Sequence, residues 1–472
     1  MQKILLFIAS LFYFNSLFAK DEIKSWQGIH ETPLSRLEQQ FADPPVEFAN
    51  HVIWGWEGKM DKKTICNDLD SIKKKGFRAI IFEAGYKLPF KYLSEEWFKA
   101  IRTGVLEAKK RGMKVWIIDE GKYPSGFAGG KFSQERPDLR MQALVIGDTI
   151  QIKRGEVMTN HKIAPEIISA VAVSTSGAPN RTVAINNGEI SFNAGLDDWK
   201  ILLVKSDFRT AVTRAVNNPN GGKDATNSLC DYLNPVAVQQ FIDWTHEQYK
   251  KYLGKELGTT VLGFRGDEPD YAHLPWTPSI VQTFKDTKGY DPTPYLASFF
   301  TTSPTIQEQR VKADYWDVWS SLFATHFFKL QADWCAANGV AYITHLNKEH
   351  EMPACVKAEG DYFRNLSKVQ IPGVDAIWNQ IWPGTLNDFP KLASSVAHVY
   401  GKPRAFSESF AAYHISPTIP QAKFVVDHQI ARGINFFEFM FWPAGSKHRN
   451  WMSDPGMKGL NKYTNRTTYL MS

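Results

Sequence analysis

The sequence predicts an α/β protein built on a (β/α)8 TIM-type barrel. Strand-like and helix-like segments alternate over most of the 472 residues, which indicates a parallel sheet covered by helices. Eight strand-like segments can be counted, and eight strands are enough to close such a barrel. Two of the strands run into a glutamate, Glu268 after strand four and Glu408 in strand seven. Catalytic groups of such barrels lie at the C-terminal ends of the strands, so both glutamates are expected at a site.

Three βα units come first along the chain. The first helix is expected to be amphipathic, with Ile65, Leu69 and Ile72 on one face. The predicted elements are strand one at 51–56, a helix at 62–75, strand two at 77–82, a helix at 95–111 and strand three at 114–120.

A small β-rich insertion is predicted after strand three. Short alternating strands separated by Asn, Gly and Pro turns replace the βα rhythm there. We therefore divide the chain into a signal peptide at 1–19, a first barrel part at 20–140, the insertion at 141–213 and the rest of the barrel at 214–472.

The alternation then resumes. Asn234 followed by Pro235 is typical of a helix start, and this helix is expected to reach Lys255. The remaining predicted elements are strand four at 261–267, a helix at 311–338, strand five at 341–345, strand six at 374–378, a helix at 388–400, strand seven at 404–410, strand eight at 435–442 and a last helix at 464–471.

Composition narrows the class of protein. A basic start, an apolar run from Ile4 to Phe18 and then Ala19 predict a secretory signal peptide, so we expect export to the periplasm or the extracellular space. No later apolar run is long enough for a membrane span. A net charge of +6 without long basic runs gives little support to nucleic-acid binding. Four scattered cysteines without CxxC spacing exclude the usual zinc cluster.

Several segments resemble bacterial glycoside hydrolases of the α-L-rhamnosidase-like group. They are Ile118–Gly130 with its Pro-Ser-Gly turn, Gly266–Pro269, His345–Glu349 and Ala397–Phe410. The resemblance implies a catalytic barrel, inverting hydrolysis, calcium near the sugar in some members and β-sandwich domains after the barrel. We expect this chain to lack those domains, as either a truncated or a minimal barrel.

The two glutamates are the candidate catalytic pair. Glycosidic cleavage needs one carboxyl group to protonate the departing oxygen and a second to activate water or to attack. Glu268 is expected to be the general acid, with a pKa raised by Asp267, and Glu408 the general base or nucleophile. The alternative interpretations are a turn cap for Glu268 and a structural ion pair between Glu408 and Arg404.

Other polar and aromatic residues at strand ends are candidate sugar contacts. Asp119 and Glu120 end strand three, where they bind sugar hydroxyls or cap the glycine-rich loop. The polar candidates after strand five are expected to contact sugar hydroxyls or, alternatively, to bind calcium, although no Asp-x-Asp-x-Asp-Gly loop is present. The further candidates are Asp267, His345, Asn347, Glu349 and, as stacking aromatics, Trp54, Trp56, Trp378 and Trp442.

The sequence thus predicts a secreted glycoside hydrolase acting on α-L-rhamnosidic or related linkages in an oligosaccharide or polysaccharide. The one cofactor that the sequence leaves as an alternative is calcium. One rival is a glycosidase with another sugar specificity, such as a β-galactosidase-like or uronic-acid-directed enzyme. Another is a barrel that binds carbohydrate without catalysis, although a binding protein would tolerate glutamine at both catalytic positions.

Overall fold

The barrel predicted from the sequence is present. The computed structural model describes Lys24 and residues 26–29, 31–121, 123–209, 213–214, 223–224, 228–271, 274–385, 387–444 and 451–472. The predicted signal peptide lies outside these residues. Eight parallel strands form a closed barrel in sequence order. They are β1 His51–Trp56, β2 Ala79–Ala84, β3 Lys114–Ile118, β4 Val261–Gly266, β5 Ala341–Thr344, β6 Ile371–Ala376, β7 Phe406–Ser409 and β8 Phe436–Pro443.

Helices surround the barrel. Asp61 and Ser94 cap two of them by accepting the backbone N–H groups of Thr64 and Trp97. The α-helices are Leu34–Ala42, Lys62–Lys74, Glu95–Lys110, Lys131–Glu135, Pro235–Trp244, His246–Leu253, Ile280–Lys288, Ile306–Leu322, Lys329–Ala337, Met352–Glu359, Tyr362–Leu366, Lys391–Val399, Ile419–Ile430 and Met457–Leu470.

Three helix predictions need correction. The last helix, expected at 464–471, begins earlier, at Met457. The helix expected from Asn234 to Lys255 is broken at Thr245, whose backbone leaves the helical region at φ −114° and ψ −84°. The helix expected at 311–338 begins earlier, at Ile306, and passes through a π-helical segment, Phe323–Phe328. Across the residues that the structure describes, no helix has both the length and the apolar character needed to cross a membrane.

The β-rich segment after β3 forms a five-stranded and a three-stranded antiparallel sheet, and a two-stranded sheet of Thr213–Arg214 and Lys223–Asp224 follows them. Its five-stranded sheet contains Gln142–Ile152, Ile167–Ser174, Arg181–Thr182, Trp199–Phe208 and, from the loop after β4, Pro275–Trp276. Its three-stranded sheet contains Val157–Lys162, Ile185–Asn186 and Glu189–Asn193. These sheets enclose a hydrophobic cluster of their own that includes Phe192 and Trp199.

The inside of the barrel changes from apolar to charged along the strands. An apolar layer contains Trp116, Phe406 and Phe436. Two residues further along β7 and β8, on the same face, lie Glu408 and Glu438. The strand register aligns His51, Glu438, Glu408 and Asp375 across β1, β8, β7 and β6. Ionisable side chains are thus gathered toward the C-terminal ends of the strands, where barrel active sites lie.

Candidate active site

Glu268 lies just past the end of β4, in an unusual backbone conformation. Its φ is +38°, in the left-handed region that non-glycine residues seldom adopt. The residue before it is fixed by the loop after β3, because the N–H of Asp267 donates to Ser125 Oγ at 2.6 Å and the Ser125 N–H donates to the Asp267 carbonyl at 2.8 Å. The Glu268 carboxyl group is therefore presented from a turn in which both backbone groups of the preceding residue, Asp267, are hydrogen-bonded to Ser125.

Glu408 points into the barrel from β7 and is 7% exposed. Its Oε2 accepts hydrogen bonds from Arg265 and from His345 Nε2, the latter at 3.2 Å. Burial raises the pKa of Glu408, and the charge of Arg265 and the His345 hydrogen bond oppose that shift. Arg265 and His345 thus stabilise the charged form of this carboxylate.

Arg265 is the central cation of the charged layer. Its guanidinium is fully buried and reaches three carboxylates: Asp267 at 2.5 Å, Glu438 at 3.0 Å and Glu408. Burial by itself would raise the pKa of Glu438, but Arg265 and a 2.9 Å hydrogen bond to His51 lower that pKa below its usual value.

The alternative pairing of Glu408 with Arg404 is wrong. The Arg404 guanidinium donates to the backbone carbonyls of Glu47, Phe48 and Asn435, and its Cζ lies 4.0 Å from the ring centroid of Phe436. The cation that pairs with Glu408 comes from β4, which is distant in sequence.

The two adjacent carboxyl groups after β4 have pKa values that are shifted in opposite directions. Burial raises the pKa of Glu268 to about 8, and the charge of Asp267 adds to that shift, as expected from the sequence. The pKa of Asp267 is instead lowered, because Arg265 and His345 outweigh the effect of burial. One carboxyl group is thus held neutral and its neighbour ionised. Such a division is how proteins separate acid and base roles.

His345 lies among carboxylates at the end of β5. Burial would lower the pKa of His345, but Asp267, Glu349 and Glu408 raise it well above its ordinary value. Its Nε2 lies 3.4 Å from Asp267 Oδ1, and its Nδ1 lies 3.5 Å from Glu349 Oε1. His345 and Glu349 thus belong to the charged cluster at the strand ends. Asn347 is half-buried beside it, and its backbone N–H donates to Glu359 at 2.5 Å.

Asp119 and Glu120 hold the loop after β3. Asp119 Oδ1 accepts from Ser125 Oγ at 2.6 Å, and burial raises the pKa of Asp119 to about 7. Glu120 accepts the backbone N–H groups of Gly121, Ala128 and Gly129, and burial raises its pKa to about 8. Both side chains are at most 1% exposed. This is the capping role that the sequence left open for them.

The four tryptophans do not form one platform. Trp54 and Trp56 are 0% exposed and face the helices, because His51, Ile53 and Gly55 occupy the inward-facing positions of β1. Trp54 Nε1 donates to Asp68 of the following helix at 3.1 Å. Their expected place at the pocket is thus corrected.

The other two tryptophans differ from each other. Trp442 is 2% exposed and belongs to the main hydrophobic core. Trp378, just after β6, is 50% exposed and lies edge-on to the ring of His350, with the centroids 6.4 Å apart. Of the four, Trp378 has the exposure that stacking on a sugar requires.

Two groups of side chains bring possible metal-binding atoms within 4.8 Å of one another: Asp267, His345 and Glu408, and Glu268, His345 and Asp375. Calcium prefers six to eight oxygen ligands. Each group supplies only two carboxylates, together with an imidazole, and Arg265 already pairs with both carboxylates of the first group. These residues therefore do not by themselves form a calcium site.

Sequence reasoning missed three residues of the cluster. Arg265, Asp375 and Glu438 are each at most 6% exposed. Burial, followed by the charge of Glu408, raises the pKa of Asp375 well above its usual range. The available signal was a charged residue inside an otherwise apolar strand. A buried charge of this kind needs a partner.

Comparison with known families places the chain in one of them. A family model described as alpha-L-rhamnosidase, glycoside hydrolase 106, matches residues 160–467. The chain belongs to this α-L-rhamnosidase family. This is a family of glycoside hydrolases, as the motifs around Glu268 and Glu408 predicted, and the suspected family is confirmed.

The chain was also similar to two known proteins. A protein of Formosa agariphila named "Putative beta-glucuronidase" is 23% identical to this chain over an alignment of 484 residues. The alignment covers 90% of this chain and 39% of that protein. The solved structure of a rhamnosidase from Novosphingobium sp. PP1Y has a TM-score of 0.69 at 15% identity, covering 93% of this chain and 61% of that one. The structural likeness supports the barrel fold. The chain spans about two fifths of the first relative's length and three fifths of the second's.

Proposed function

We propose that this glycoside hydrolase cleaves an α-L-rhamnosidic or closely related linkage in an oligosaccharide or polysaccharide, with Glu268 as general acid and Glu408 as general base. The observation that carries the proposal is the division of charge at the strand ends. Glu268 has a pKa raised to about 8, so it holds a proton at neutral pH. Glu408 contacts the cations Arg265 and His345.

The two carboxyl groups would divide the chemistry between them. Glu268 donates its proton to the departing glycosidic oxygen as the bond to the anomeric carbon breaks. Glu408 accepts a proton from the water that attacks the opposite face of the sugar. Family membership favours this inverting course. The competing course is direct attack by Glu408, which would form a covalent intermediate and retain the configuration.

The activity is tested with 4-nitrophenyl α-L-rhamnoside beside a panel of other nitrophenyl glycosides. We expect release from the rhamnoside and its loss in Glu408→Gln. Glu166→Gln is the matched control, because Glu166 is an exposed residue of the insertion. If nitrophenol is released only from another glycoside, the enzyme is specific for that sugar and the proposed rhamnoside specificity is wrong. Specific sugar binding with no release from any substrate, including oligosaccharides, would favour the non-catalytic barrel.

The stereochemical course needs a separate measurement. Proton NMR of the first sugar released from an α-L-rhamnoside should show the β-anomer before mutarotation. If the α-anomer forms first, Glu408 acts as nucleophile.

We also propose that the protein is exported. The support is the predicted signal peptide at 1–19. N-terminal sequencing of the protein secreted by an expressing bacterium should find a new terminus near residue 20. An uncleaved protein that stays in the cytoplasm would contradict export.

A further inference from the structure

A large groove lies on the face of the barrel that carries the charged cluster. Its cavity volume is about 1040 Å³, and its wall includes residues of the loops after β4 and β5. These are the loops that begin next to Glu268 and His345. Asp270 and Tyr271 follow Glu268 by two and three residues, and Lys348 follows His345 by three. Both loops start at strand ends that carry the cluster, so the groove lies on the same face of the barrel as the proposed general acid.

The lining of the groove combines aromatic rings with cations. Tyr271, Phe299, Phe300 and Trp316 supply the rings. The last three are half-buried, so part of each side chain is available to a ligand. Sugar rings present apolar C–H faces, and aromatic side chains combine a large apolar surface with a defined geometry.

Three lysines stand around these rings. Lys312, Lys348 and Lys357 all line the groove and are all exposed. None of them takes part in a salt bridge with any residue that the structure describes. The one acidic side chain of the described lining is Asp270, so the lysines outnumber acidic side chains by three to one; burial raises the pKa of Asp270, and the charge of Lys348 opposes that shift. The groove therefore presents an excess of positive charge.

This excess contrasts with the catalytic cluster a few residues away, where carboxylates outnumber cations. A neutral sugar chain needs no such cations, whereas a sugar acid does. In a uronic acid the carboxylate is attached directly to the ring. When the ring lies with its face on an aromatic side chain, the carboxylate projects from the ring edge, toward the rim where exposed lysines can pair with it.

We propose that this groove binds the leaving-group side of the substrate, and that this side carries uronic acid residues. The proposal rests on the proposed function for the position of the cleaved bond. The recognition of a uronate chain by the groove can be measured without any hydrolysis.

The first experiment measures binding by calorimetry. The probes are trigalacturonate, a neutral galactose trisaccharide and a sulfated galactose trisaccharide. The groove variant carries Lys312→Gln and Lys357→Gln. The matched control carries Lys63→Gln and Lys200→Gln, which remove the same charge at exposed lysines outside the groove.

We expect trigalacturonate to bind more tightly than the neutral trisaccharide, and the groove variant to lose about tenfold in affinity for it while the control does not. The preference should shrink in about 0.5 M NaCl, because salt screens exposed charges. Equal binding of the acidic and neutral probes would overturn the proposal. An equal loss of affinity in the control variant, or binding of the sulfated probe alone, would also overturn it.

The second experiment compares hydrolysis of a rhamnosyl-glucuronic acid disaccharide with that of a rhamnosyl-glucose disaccharide. A higher kcat/KM for the acidic disaccharide, reduced in the groove variant, supports the proposal. If neither disaccharide is cleaved although trigalacturonate binds, the proposed function fails and the groove's specificity stands. If both are cleaved equally, the groove proposal fails and the proposed function stands.

Discussion

Ser125 and Asp267 are joined by two hydrogen bonds that connect the loop after β3 to the turn carrying the proposed general acid. Ser125 Oγ accepts the Asp267 N–H at 2.6 Å, and the Ser125 N–H donates to the Asp267 carbonyl at 2.8 Å. Ser125 Oγ also donates to the buried Asp119 carboxyl group at 2.6 Å. The position of Glu268, at φ +38°, thus depends on a residue that is distant in sequence.

Ser125→Ala should lower kcat more than it raises KM, since it removes one of the two hydrogen bonds that hold the turn before Glu268 and removes no proposed sugar contact. It also leaves the Asp119 carboxyl short of a partner, with a loss of about 1–3 kcal/mol in the free energy of unfolding. Kinetics and urea unfolding measure the two effects. The control is Ser191→Ala, where an exposed hydroxyl of the insertion accepts an N–H at 2.9 Å. A positioning role also requires the alkaline limb of the pH profile to move. A loss of stability with an unchanged alkaline limb would show that Ser125 stabilises the fold without positioning Glu268.

Arg265→Met should lower the free energy of unfolding by about 3–5 kcal/mol at neutral pH, because it leaves buried carboxylates unpaired. The loss should depend on pH. In the wild type, Arg265 holds the pKa values of Asp267 and Glu438 below their usual values of 3.8 and 4.5. The resulting stability is present above pH 4.5 and is lost as the pH falls further.

Without Arg265, burial would raise the pKa of both carboxyl groups, and acid would relieve the penalty by protonating them. The difference in unfolding free energy between variant and wild type should therefore shrink as the pH is lowered from about 8 to about 5. Urea unfolding across this range measures the difference. Arg154→Met is the control, because Arg154 is exposed and its Nη2 lies 3.8 Å from Asp198. A difference that does not change with pH would contradict the role assigned to Arg265.

Glu120→Gln should destabilise the protein by about 1–3 kcal/mol, because an amide NH₂ would replace an oxygen that now faces backbone N–H donors. The KM should stay unchanged if Glu120 only caps the loop after β3. Thermal unfolding and steady-state kinetics separate these effects. A raised KM with unchanged stability would indicate that Glu120 contacts the sugar, as the sequence suggested.

Trp378→Ala should raise KM by about tenfold with little change in stability, because a half-exposed ring that stacks on sugar contributes to binding. Trp54→Phe is the contrasting variant. It removes a buried hydrogen bond to Asp68 and should lower the unfolding free energy while leaving KM unchanged. A raised KM with an unchanged unfolding free energy in Trp54→Phe would indicate that Trp54 contacts the sugar.

The barrel could be predicted from the sequence because each strand is a short apolar run that alternates with an amphipathic helix. The positions of Glu268 and Glu408 at strand ends followed from the same pattern. The contact between Arg265 and Glu408 could not be predicted, because it joins residues 143 positions apart through the closure of the sheet. The outward direction of Trp54 and Trp56 was missed, although the alternation of side chains from the inward-facing His51 would have indicated it.

The central claim, that Glu268 is the general acid, is tested most directly by the dependence of the Glu268→Gln variant on the leaving group. The measurement compares kcat/KM for a rhamnosyl disaccharide and for 4-nitrophenyl α-L-rhamnoside in wild type and variant across pH. A sugar alkoxide needs a proton to leave, whereas a nitrophenolate leaves readily without one. We expect a loss of about 10²–10⁴-fold with the disaccharide, a much smaller loss with the nitrophenyl substrate, and disappearance of a wild-type alkaline limb near the Glu268 pKa of about 8. Equal losses on both substrates, or an alkaline limb that persists in the variant, would contradict the assignment.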